Sequence, residues 1–175
     1  MKNAIEKEQT NDSTNTKGMI FIQKVKINTD NTAKIWYKKA DDLFSEERTA
    51  SGQDQVTEEF AKAFQTTVKG FVNCIPKLSA EGDKITMNCI KFDYGKDGYL
   101  QSALYSIKYS FNDANNAVIN ISTPLLPIYK EGMEDTFCIS GKDEEALHEV
   151  IRLAKAYING ETRTKQMSLI VDNTK

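Results

Sequence analysis

From Tyr99 to Phe111 the chain alternates with a strict period of two. Ala103, Tyr105, Ile107, Tyr109 and Phe111 fall on one side, with Ser102, Ser106, Lys108 and Ser110 on the other. Only an extended strand sends successive side chains to opposite faces. The run therefore predicts a long strand that covers a core on one side and meets solvent on the other. Residues 85–94 alternate too, but the phase changes midway. Ile85, Met87 and Cys89 share one face, and Ile90, Phe92 and Tyr94 share the other. A bulge near Cys89 and Ile90 reconciles the two halves. Gly95-x-x-Gly98 between the runs reads as a hairpin turn, and residues 117–122 as a returning strand.

Two shorter β-patterned runs, residues 19–28 and 33–39, flank a turn at Thr29, Asp30, Asn31 and Thr32. An odd-length loop there keeps the apolar positions together and pairs Ile27 with Ile35 and Val25 with Tyr37. Residues 41–53 are polar and read as a loop. From Asp54, a candidate N-cap, the apolar positions Val56, Phe60, Phe64, Val68, Phe71, Val72 and Ile75 follow helical spacing, which Pro76 ends. Pro124, Pro127 and Gly132 mark residues 123–139 as a surface loop. Ser140 and Asp143 suggest a capping box for a last helix with the stripe Leu147, Val150, Ile151, Ala154, Tyr157 and Ile158, stopped at Gly160. The expected fold is a single α+β domain in the order ββ-α-βββ-α, with an antiparallel sheet of about five strands and two helices. Its boundaries are a disordered leader at 1–18, the domain at 19–160 and a flexible C-terminal tail at 161–175. Periodicity predicts a core of Val56, Phe60, Phe64, Val68, Phe71, Tyr105, Ile107, Tyr109, Leu147, Ile151 and Ala154.

The chemistry-bearing residues are sparse. His148 is the single histidine, and the cysteines, Cys74, Cys89 and Cys138, are far apart with no CxxC pair. That spacing suggests neither a disulfide framework nor a metal site, and a reducing compartment is its simplest reading. No Walker A loop, Gly-rich dinucleotide loop or Gly-x-Ser-x-Gly elbow is present. Glu58, Glu59, Asp143, Glu144 and Glu145 belong to helix first turns, where negative charge favours the helix dipole. We therefore expect no catalysis, no cofactor and no metal. No apolar run approaches the roughly 18–20 residues of a membrane span.

Two features point to binding instead. The first is the polar face of the opening hairpin, which carries Lys24, Lys26, Lys34, Trp36 and Lys38. Lysines around an indole can grip a single nucleic-acid strand by charge and stacking. The plainer reading is a solvated hairpin face whose lysines discourage edge pairing. The net charge of −2 favours the plainer reading, so this face is expected to be mainly exposed and not to bind nucleic acid tightly.

The second is the tail. After Gly160 come polar residues 161–165, a tether of up to roughly 17 Å if extended. Gln166, Met167, Ser168, Leu169 and Ile170 follow. They resemble the sliding-clamp-binding peptide of bacterial replication and repair proteins, of the form Gln-x-Ser/Asp-Leu-Phe. In that resemblance Leu169 and Ile170 are apolar anchors, Gln166 a hydrogen-bonding amide, and Met167 the variable position. A broader likeness rests on Met19, Ile20, Ile22, Lys24, Val25, Lys26 and Ile27, on the strand pair around Phe92 and Tyr109, on Ile121 to Pro124, and on Ala156 to Gly160 before the tail. These resemble a group of small uncharacterised phage and prophage proteins, whose usual ending has Phe in place of Ile170. The resemblance implies a bacterial host cytoplasm and no established reaction. The expected function is a non-enzymatic accessory protein that binds the host sliding clamp through the tail. The alternatives are a single-stranded nucleic-acid-binding protein using the Lys/Trp face, or a phage inhibitor of a host defence protein.

Overall fold

The computed structural model describes residues 19–40, 47–111, 117–130, 138–161 and 163–164. In chain order the strands are β1 (Ile20–Ile27), β2 (Thr32–Lys39), β3 (Arg48–Val56), β4 (Ile85–Tyr94), β5 (Leu100–Ser110), β6 (Val118–Ser122), β7 (Leu126–Pro127) and β8 (Arg163–Thr164). The helices are α1 (Glu58–Thr66), α2 (Val68–Cys74) and α3 (Lys142–Ile158), with a 3₁₀ helix at Pro76–Lys84. The α+β class and the antiparallel sheet agree with the pattern. Among the described residues the sheet has eight strands rather than about five, in the spatial order β6-β5-β4-β1-β2-β3-β8 with β7 on β5, and the chain order is βββ-αα-ββββ-α-β rather than ββ-α-βββ-α.

The alternating run forms β5, the longest strand, paired with β4 along nearly its full length. Its apolar side makes the core with α1, α2 and α3: Tyr105, Ile107, Phe60, Phe71, Leu147, Leu153 and Tyr157 are each 2 % exposed or less. The expected core residues are buried except Val68 and Tyr109, which are half-buried against it. Burying such side chains stabilises by about 1.5–3 kcal/mol each.

The differences have local causes. The polar stretch read as a loop supplies β3, held on β2 by backbone pairing at Lys34–Ser51, Ile35–Ala50 and Trp36–Thr49 and flanked on its other side only by the two-residue β8. It consumes Asp54 and Val56, so α1 begins later, with Thr57 as N-cap and its hydroxyl accepting from the Phe60 N–H at 3.4 Å. The expected long helix is broken at Thr67, whose hydroxyl donates to the Phe64 carbonyl at 2.6 Å. Pro76 opens the 3₁₀ helix instead of a turn. Gly141, at φ +54°, takes the N-cap place of α3 without a side-chain cap, so the Ser140 and Asp143 box does not form.

The first hairpin does use a three-residue loop, Thr29 to Asn31, but two positions from the expected register. Asn31 takes the left-handed conformation at φ +62°, and its N–H donates to the Asn28 carbonyl at 3.0 Å. Val25 then faces Ile35 and Ile27 faces Ala33, not Tyr37 and Ile35. The parity is unchanged, so the two faces keep the residues assigned to them.

α3 ends as the sequence requires. Gly160, at φ +86°, donates to the Tyr157 carbonyl at 3.0 Å, and the Glu161 N–H donates to the Ala156 carbonyl at 2.9 Å. This is a Schellman stop. It returns the chain to the sheet, where Arg163 pairs with Val56 and Thr164 with Gln55. Residues 163–164 are thus a strand and not tether. Residues 1–18 and 165–175, including the clamp-like peptide, lie outside the described residues. Among the described residues no helix is long and apolar enough to cross a membrane.

Candidate functional site

The helices take one face of the sheet. The other face is open to solvent at Lys34, Ser51, Thr86 and Lys91. Register determines what stands on it. Lys24 lies directly across from Trp36, and Lys26 from Lys34. A bulge at Gln23 shifts the pairing so that Phe21 meets Lys38. All five residues expected on this face are therefore together.

They are less exposed than expected. Lys34 is exposed, whereas Lys24, Lys26, Trp36 and Lys38 are half-buried. The cause is packing between them. The Lys24 ammonium sits 4.3 Å from the Trp36 ring centroid and that of Lys34 sits 5.0 Å away. Such contacts hold a cation over the π-face while the lysine stems cover apolar surface.

On the other side of β1, Lys91 of β4 pairs with Lys24 and widens the basic patch. Cys89 lies under it. The bulge in β4 falls between Met87 and Cys89, one position before the expected site, and pairs Cys89 with Ser106 on the solvent side of β5. Burial pushes the Cys89 thiol up, opposed by the nearby charges of Lys24, Lys91 and Lys26.

The face continues into a cleft of about 620 Å³ at the start of β1, lined by Met19, Phe21, Tyr94, Tyr99, Lys38 and Lys96 among others. Clefts that hold small molecules span about 300–1,000 Å³. A second irregularity, between Asp93 and Tyr94, turns Tyr94 toward Phe21, and the two rings meet edge-on at 5.4 Å. Burial raises the Tyr94 hydroxyl. Gly98, at φ +80°, lies against Phe21, where an added Cβ would approach its ring to 3.3 Å. Tyr99 is 76 % exposed at the rim. Asp97 also lines the cleft, its carboxylate accepting from the Tyr99 N–H at 3.2 Å.

Sequence reasoning missed Lys91, Phe21, Tyr94 and Tyr99 as members of this surface. Alternation alone places Cys89 with Ile85 and Met87, and Tyr94 with Ile90. Two irregularities in β4 move both to the open face.

His148 is on the outside of α3, 57 % exposed, with Nε2 3.7 Å from Glu144. Among the described residues, no three His, Cys, Asp or Glu side chains converge in a metal-binding arrangement. The clamp-like residues Gln166, Met167, Ser168, Leu169 and Ile170 lie outside the described residues, beyond the end of β8. Comparison with family models, curated proteins and solved structures gives no match.

Proposed function

We propose that the chain is a non-enzymatic accessory protein, of phage or prophage type, that engages a bacterial sliding clamp through Gln166, Met167, Ser168, Leu169 and Ile170. What supports this reading is the exit point of the tail. The Schellman stop at Gly160 turns the chain onto the β3 edge, and backbone pairing holds it there through Thr164. Only Lys165 separates the last paired residue from Gln166. The peptide thus follows, one residue on in sequence, a segment paired with the sheet. A short connection lowers the entropy lost on ordering a ligand peptide.

In this reading Leu169 and Ile170 supply apolar burial, each about 1.5–3 kcal/mol if fully covered. The Gln166 amide supplies a directional bond of about 1 kcal/mol. The clamp's several equivalent pockets would add avidity for a multimeric partner. The test is competition. The full chain should displace a labelled clamp-binding peptide from a purified bacterial clamp, and a chain ending at Thr164 should not. Equal displacement by both would refute the reading.

A further inference from the structure

We propose that the open face of the sheet is a track for single-stranded nucleic acid, running from the aromatic cleft across Trp36 to Lys26 and Lys34. It reverses the expectation drawn from the net charge alone, and it is independent of the clamp reading, since it uses a different part of the molecule.

Lys24, Lys26, Lys34, Lys38 and Lys91 share this face, and among the described residues the ion pairs lie elsewhere, at Lys84, His148 and Arg152. The carboxylates of α1 and α3 that make the chain acidic are on the helical layer. Those carboxylates are on the far side of the sheet from the lysines, and solvent-exposed charges more than about 10 Å apart are largely screened at 0.1 M salt. A polyanion at the open face therefore meets the lysines before it meets the net charge. Among the described residues, Asp93 and Asp97 are the acids near the cleft, held by Ser102 and by the Tyr99 N–H. They leave the lysine side of the track to the phosphates.

The same face carries stacking surface. Phe21, Tyr94 and Tyr99 furnish the cleft, and Trp36 stands two residues along β2 from Lys38 at the cleft wall. That interval is about 7 Å, so one strand can reach both. In the free protein the ammoniums of Lys24 and Lys34 rest near the indole. An arriving phosphate draws them outward and uncovers the ring for a base. Aromatic platforms interleaved with lysines suit single strands, whose bases expose their π-faces, and not duplexes, whose bases are stacked.

Trp36 is the only tryptophan, so its fluorescence reports on this surface alone. The full-length chain is titrated with oligothymidine and oligouridine of about 15 nucleotides, within the range a single-strand site covers, and with a duplex of equal length. The expected result is saturable quenching by the single strands, weaker binding of the duplex, and a log–log salt slope of about −2 to −3. Preference for one single strand identifies its source, DNA or RNA. Tyr99→Ala should weaken binding at least about fivefold; Trp36→Ala should weaken it more than Trp36→Phe, both read by the anisotropy of an end-labelled strand because they lack the indole; and Lys24→Ala with Lys91→Ala should flatten the salt slope. Unchanged melting temperatures show that these variants fold. Absence of quenching at high micromolar strand in low salt would overturn the proposal. So would equal duplex affinity, binding indifferent to both lysines, or a stable dimer that already seals the face.

Discussion

The Tyr157 hydroxyl donates to the Asp54 carbonyl at 3.0 Å, tying the end of α3 to the β3 edge across 103 residues of sequence. Gly52 permits the approach, because a Cβ there would lie 3.0 Å from that hydroxyl. Tyr157→Phe should cost about 1 kcal/mol in chemical denaturation, the loss of one part-buried bond. Gly52→Ala should destabilise the wild type more than it destabilises Tyr157→Phe. Equal penalties in the two backgrounds would mean that the glycine and the hydroxyl are not coupled.

Tyr105 makes the opposite case. It is fully buried, and its hydroxyl has no hydrogen-bond partner among the described residues. It lies against Gly70, where an added Cβ would come within 2.9 Å of the oxygen. Burial, with the Asp143 carboxylate nearby, raises its ionisation well above the ordinary phenol range. Tyr105→Phe removes an unsatisfied polar group, so it should leave stability unchanged or raise it by up to about 1 kcal/mol. A loss comparable to that of Tyr157→Phe would reveal a partner for the hydroxyl.

Glu81 sits between the Lys84 ammonium and the Tyr109 hydroxyl, which donates to it at 3.1 Å. The Lys84 bond is the larger cause and the Tyr109 bond the next in holding its carboxyl below the ordinary glutamate range. A depressed carboxyl contributes stability above its unfolded value and loses it as the pH falls through the folded one. Because the side chain is 34 % exposed and solvent screens the pair, the contribution to stability is small. An NMR titration should find Glu81 below an ordinary glutamate. Lys84→Met should raise it further toward that value than Tyr109→Phe. A Glu81 that titrates normally in the wild type would contradict this geometry.

How much could be read from the sequence depended on one-sided burial. β5 and α3 each bury one side, so their periods of two and 3.6 survive in the residue order. β3 was missed because Arg48 to Gln55 is held mainly by backbone pairing, which leaves no apolar alternation, and β8 for the same reason. The Lys/Trp half of the open face was legible because any odd loop in the first hairpin preserves parity. The half with Lys91, Tyr94 and Tyr99 was not, because the shifts after Met87 and Asp93 reassign Cys89 and Tyr94 to the other face. A residue added to one strand changes which side chains share a surface while barely altering the local pattern.

Calorimetric titration of the full chain into a purified bacterial sliding clamp measures binding by the tail directly. Measurable binding is expected, abolished when Gln166, Leu169 and Ile170 are together replaced by Ala, with the melting temperature unchanged. No heat of binding at high micromolar concentration, or equal binding by the triple variant, would contradict the clamp reading.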